Sequence, residues 1–172
     1  MKALHIFSLS VAALLGIALL PGSAISQQKP LKDQLFGTWN QVSTIVTSKD
    51  GKKLQPFGNK PTGVLIFTPD GNLALINTRS DIPKIASNNR LEGTPEEYAA
   101  IVRGTHAFFG TYTVDEAAKS FTVNIAGGTF PNEVGGTTTR TLTAIADDEL
   151  KFTYPAGAAV GAVAEQSWKR GK

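Results

Sequence analysis

Two arginines lie in step with apolar residues. Arg79 follows Leu73, Leu75 and Asn77 at every second position, and Arg140 precedes Leu142 and Ala144 in the same way. At the two-residue period of a strand, each cation shares a face with side chains that belong in a core. A guanidinium held there would tether the acidic group of a ligand; at a strand end it would face water, as arginines commonly do. Tyr112 and Asn124, on similar segments, can donate and accept hydrogen bonds, and Phe109 adds an aromatic wall. These five residues form the candidate ligand-binding set.

Other chemistry is poorly supplied. His106 is the one imidazole beyond the N-terminal apolar run, and the chain has no cysteine. Zinc sets of several Cys or His ligands cannot form from one copy, and the acidic residues do not follow the spacing of a calcium-binding loop. Neither a metal nor a cofactor is expected. No Gly-x-Ser-x-Gly nucleophile motif occurs. His106 follows Gly104-Thr105 in what reads as a loop after a helix. It would act as a general acid or base if that loop carried it into a cavity mouth, and otherwise bonds to loop backbone. Asp147-Asp148-Glu149 falls at a hairpin turn, where carboxylates are simply solvated.

The N-terminus reads as a targeting segment. Lys2 precedes the apolar run from Ile6 to Leu20, Pro21-Gly22-Ser23 break it, and the small residues Ala24 and Ser26 suit a signal peptidase. Residues 1–26 are therefore expected to be a secretory signal peptide, its 15-residue apolar run being short for a membrane span of about 20 residues. Residues 27–172 are expected to form one domain, secreted to the periplasm or medium, with no stable membrane insertion after cleavage. The formal charge is only +3, one unit of it from Lys2, and the basic residues are scattered apart from the tail Lys169-Arg170-Gly171-Lys172. Nucleic acid is not an expected partner.

The elements that must position these residues are β-strands. Segments rich in Val, Ile, Thr and aromatics fall at about 36–47, 63–68, 72–79, 108–114, 120–126, 137–146, 149–154 and 162–169, with turns such as Asp50-Gly51 and Pro69-Asp70-Gly71 between them. Eight strands at this spacing predict an all-β, eight-stranded antiparallel up-and-down barrel. One segment is helical instead: Thr94 as N-cap, Pro95 at the first position and Glu97 closing a capping box predict a helix over 94–103. That helix falls between the third and fourth strands, where it would cover one opening or pack on the wall.

Several motifs add a resemblance. They are Phe36-Gly37-Thr38-Trp39, Gln55-Pro56-Phe57-Gly58, Arg79-Ser80-Asp81-Ile82-Pro83-Lys84, Gly93-Thr94-Pro95-Glu96-Glu97, Phe109-Gly110-Thr111-Tyr112, Phe130-Pro131-Asn132 and Trp168-Lys169-Arg170. Through them the chain resembles the lipocalin-like domain family of small secreted bacterial proteins, part of the calycin barrel group. The resemblance implies a closed barrel with an internal cavity and supplies no catalytic set. Trp39 is expected to plug one barrel end under a stacked Arg170. Similar sequences often carry His where this chain has Asn124, and Trp where it has Glu133; Asn124 can serve neither as a base nor as an imidazole ligand.

These readings converge on a barrel that binds a small, largely apolar or weakly acidic molecule in its cavity. Two other readings stay open. One is a metal-free barrel enzyme of isomerase, cyclase or hydratase type, resting on fold analogy. The other is an envelope accessory protein acting through its surface, which would show a filled barrel and a large exposed apolar patch.

Overall fold

A computed structural model describes residues 29–156 and 161–172; the expected signal peptide lies outside them. Nine strands follow one another: β1 (Gly37–Thr47), β2 (Lys53–Leu54), β3 (Thr62–Phe67), β4 (Asn72–Thr78), β5 (Thr105–Asp115), β6 (Ser120–Gly128), β7 (Thr137–Ile145), β8 (Glu149–Pro155) and β9 (Val163–Arg170). From β3 onward each strand pairs antiparallel with the next, β1 pairs with β3, and β9 returns to β1. Trp39 thus meets Arg170, and Thr47 meets Val163. Eight strands close the barrel. The extra one, β2, is a two-residue spur pairing Leu54 with Val46.

Alternation decides what fills the interior. Leu65 and Phe67, Leu73 and Leu75, Phe108 and Tyr112, Phe121 and Val123, Leu150 and Phe152 each stand two or four apart on a strand and are buried. Phe67 meets Tyr112 and Phe121 edge-on at 5.0 and 5.2 Å, and Phe121 meets Phe152 at 5.3 Å. Each such pair adds about 0.5–1.5 kcal/mol beyond area burial.

A five-residue helix outside the expected elements, α1 (Leu31–Leu35), closes one end. Its Leu31 and Leu35 join the core, and the Leu35 carbonyl accepts the Trp39 indole N–H at 2.8 Å. The helix is a single turn, too short to show a periodic apolar stripe.

The expected helix forms as α2 (Pro95–Gly104), between β4 and β5 at the opposite end. The Glu97 N–H donates to Thr94 Oγ1, and Glu97 Oε2 accepts from the Thr94 N–H, closing the box both ways. Its apolar residues do not plug the barrel. Val102 stays 71% exposed, and the Tyr98 hydroxyl accepts the Gly93 N–H of the preceding loop. β5 begins directly after α2, three residues before the expected strand start, so His106 belongs to the sheet.

Candidate functional site

Polar side chains take inward-facing places beside core residues on several strands. Gly63 opposes Asn77, and Asn77 opposes His106. Phe121 opposes Arg140, Phe152 opposes Gln166, Gln166 opposes Thr44, and Gln41 opposes Trp168. Next to the aromatic core therefore runs a belt of polar side chains contributed by most of the strands. Two contacts stay within it: Gln41 Nε2 donates to Thr44 Oγ1 at 2.8 Å, and Gln166 Nε2 donates to the Tyr154 hydroxyl at 3.2 Å. Gln41 Oε1, both amide atoms of Asn77, Arg140 Nη1 and Gln166 Oε1 are buried and find no partner among the described residues. Each such atom costs about 1–3 kcal/mol when left unpaired.

Arg140 is the centre of this belt. It is 3% exposed, and its guanidinium carbon lies 4.9 Å from the Tyr154 ring centroid, 5.2 Å from Phe108, 5.8 Å from Phe152 and 5.9 Å from Phe121. The rings give the cation electrostatic company without neutralising it. Among the described residues no carboxylate approaches within ion-pair distance of it. Burial pulls its pKa down to about 10, with Tyr154 and then Glu133 opposing the shift. It therefore stays charged near neutral pH. Burial also pushes the Tyr154 hydroxyl up, so that group remains a neutral donor.

A cleft of about 570 Å³ opens over these two residues, between Ile125 of β6, Thr137–Arg140 of β7, Tyr154 and Pro155 of β8, and the connection carrying Asn132, Glu133 and Gly136. Seven of its ten lining residues have polar side chains. The connection is tied down by its own backbone: the Gly135 N–H donates to the Ile125 carbonyl at 2.9 Å, and the Ile125 N–H to the Gly136 carbonyl at 3.0 Å. A 3-10 turn at Pro131–Glu133 aims Glu133 across to β5, where its Oε2 lies 2.8 Å from His106 Nε2. A carboxylate only accepts, so Nε2 carries the shared proton. The His106 and Phe108 ring centroids are 5.5 Å apart, so imidazole and Arg140 flank the same phenyl ring.

At the closed end Arg170 lies over Trp39, with its carbon 4.0 Å from the ring centroid. Residues 36–170, from the head of the Gly-x-Trp strand to this arginine, match the lipocalin-like domain. The chain belongs to the lipocalin-like domain family. Among solved structures, a lipocalin-like protein from Bacteroides uniformis is 14% identical, at a TM-score of 0.44 over 80% of this chain and 99% of that one. A redesigned β-barrel is 16% identical, at a TM-score of 0.43 over 83% of this chain and 96% of that one. A redesigned barrel bound to DFHBI is 14% identical, at 0.38 over 82% and 99%. No curated protein matches the chain.

The lipocalin-like barrel distributes the five sequence candidates unevenly. Arg140 reaches the cleft. Tyr112 is buried, but at the closed end, its hydroxyl donating to the Thr68 carbonyl at 3.0 Å. Asn124 points outward, because Phe121, Val123 and Ile125 hold the inner parity of β6; its amide reaches only Thr111 Oγ1, at 3.4 Å. Phe109 also points outward, 59% exposed and lying over Gly127, while its neighbours Phe108 and Gly110 face in. Arg79 stands beyond the end of β4, where alternation no longer holds, and forms a two-pronged exposed pair with Asp81 at 2.7 Å. His106 is bonded to a carboxylate instead of loop backbone.

Asn77, Tyr154, Gln166 and Glu133 are among the site residues that the candidate set omits, with Gln41 and Thr44. Period-two patterns in Leu73-Leu75-Asn77, Phe152-Tyr154 and Gln166-Trp168 carry the signal for three of them. A second cleft of about 330 Å³ lies beside α1, between Leu31, Glu116, Lys119 and Leu142, remote from the belt.

Proposed function

We propose that this protein is exported and binds a small organic acid in the cleft at the open end of the barrel, with the acid group on Arg140. One observation carries the reading: a buried, charged guanidinium with an unpartnered Nη1, framed by four aromatic rings, at the cleft lining. A carboxylate placed there gains a charge-assisted hydrogen bond in a low-dielectric setting. Ile125, Tyr154 and Pro155 offer apolar surface to the rest of the ligand, and the threonines of β7 offer hydroxyls. The ligand is therefore an acid with a short apolar body, more polar than a lipid-like cargo.

Displacement of an environment-sensitive dye by hexanoate and by hexanamide tests this. Hexanoate is expected to bind at least about tenfold more tightly, and Arg140→Met to abolish the difference. Equal binding of acid and amide would remove the support for an acid site. Export rests on the signal-like pattern of residues 1–26. N-terminal sequencing of the protein from the host's periplasm or medium is expected to start near Gln27; an intact leader would contradict it.

A further inference from the structure

The cleft lining holds two charged side chains, Arg140 and Glu133, and they have opposite signs. They do not form an ion pair with one another. Glu133 is bonded to His106 through Oε2, and its Oε1 accepts nothing among the described residues. A carboxylate has about four acceptor positions, so this group retains most of its capacity to bind. His106 and the 3-10 turn hold it in place, on a backbone tied to β6.

We propose that the ligand is an amine-bearing acid, its carboxylate on Arg140 and its ammonium on Glu133; this rests on the reading of Arg140 as an acid anchor. A plain acid in the same cleft would be drawn to the guanidinium and repelled by the nearby carboxylate. An ammonium on the same molecule turns that repulsion into a second charge-assisted contact. The arrangement selects by opposition as well as attraction: neutral amides forgo the first contact, plain acids meet the repulsion, and plain amines face a buried cation.

Isothermal titration with hexanoate, 2-aminohexanoate and 6-aminohexanoate on wild type and Glu133→Gln tests the assignment. At least one amino acid is expected to bind wild type about tenfold more tightly than hexanoate. In Glu133→Gln that preference should fall to within about twofold, hexanoate gaining while the amino acid loses. Glu133→Ala should behave alike, and near-ultraviolet circular dichroism checks that each variant keeps its fold. If hexanoate equals or exceeds both amino acids on wild type, or if the preference survives Glu133→Gln, Glu133 is not an ammonium site and Arg140 still stands as an acid anchor. If none of the three binds, the acid-site reading falls and this one falls with it.

Discussion

Gly37 and Arg170 fit because one of them has no side chain. At φ +119° a Cβ on Gly37 would come 3.2 Å from Arg170 Nη1. The bare backbone lets the guanidinium settle over Trp39, donating from Nη1 to the Phe36 carbonyl and from Nη2 to the Gln34 carbonyl at 2.8 Å each, and from Nε to that of Asp147. One cation thereby satisfies three carbonyls at the closed end. Gly37→Ala is expected to destabilise by about 1–3 kcal/mol, through backbone strain and the displaced arginine. Trp39→Ala should lose about 3–5 kcal/mol through the void left by a fully buried indole. Urea denaturation measures both; a Gly37→Ala protein as stable as wild type would contradict the fit.

Arg140 should trade stability against binding. A buried cation without a carboxylate is unfavourable in the folded state, and apolar replacements at comparable sites are neutral or stabilising. Arg140→Met is expected to raise stability by about 1–3 kcal/mol near neutral pH while losing acid binding. Its folded pKa of about 10 lies well below that of a free guanidinium, so the penalty is complete below pH 10 and is relieved as pH rises above it. The Tyr154 hydroxyl acts oppositely. Its pKa is raised above 10, so its contribution is complete below pH 10 and is lost as pH rises further. The advantage of Arg140→Met over wild type should therefore shrink above pH 10 in thermal unfolding; an advantage independent of pH would count against a buried charge.

Glu97 links the α2 cap to the loop before it. Its carboxylate accepts the Thr94 and Ala86 N–H groups at 2.8 Å each, and these bonds, Thr94's first, hold its pKa below 4.5. A depressed folded pKa gives stability that is present above 4.5 and lost as pH falls through the folded value. The Thr94 and Ala86 amide resonances should titrate together with a midpoint below 4.5, and Glu97→Gln should remove the transition. Midpoints that differ between the two amides would refute a shared carboxylate. Thr94→Ala should cost about 1 kcal/mol in the same cap.

Gly110 is expected to be the least replaceable glycine of the sheet. A Cβ there would fall 1.9 Å from the Asn124 carbonyl oxygen and 3.1 Å from the Ala126 nitrogen, beside the bulge where β6 carries one extra residue. Backbone on both strands would have to part. Gly110→Ala should destabilise by about 3 kcal/mol or more, against about 1–2 kcal/mol for Gly135→Ala, where nothing lies near the Cβ position and only the φ of +80° resists a side chain. Chemical denaturation of the pair decides it.

Most of the barrel was readable because its strands alternate cleanly and its turns carry Asp-Gly and Pro-Asp-Gly. The α2 cap was readable too, since Thr94, Pro95 and Glu97 signal locally. Strand ends were not. Arg79 continues the parity of Leu73 and Leu75 in sequence, yet β4 stops at Thr78 and Asp81 captures the guanidinium. Asn124 shows a different limit: its residue type suggests a ligand, while the neighbours Val123 and Ile125 already place it outside. The Glu133–His106 contact joins residues 27 apart through a turn whose aim depends on tertiary bonds, and no spacing rule reports it.

The seam between β1 and β9 joins residues as far apart as Phe36 and Arg170, 134 positions along the chain. Every other junction from β3 to β9 joins strands consecutive in the chain, by short turns or connections except at β4–β5, where the chain passes through α2. Loop closure of the whole barrel is therefore the slow, high-contact-order event, and until it happens the chain is an open sheet with two naked edges. Those edges are what a folding intermediate exposes to other copies of itself. Substitutions in the seam should slow folding and promote aggregation well beyond what their equilibrium effect implies, whereas equal losses in the β3–β4 hairpin should act mainly through stability.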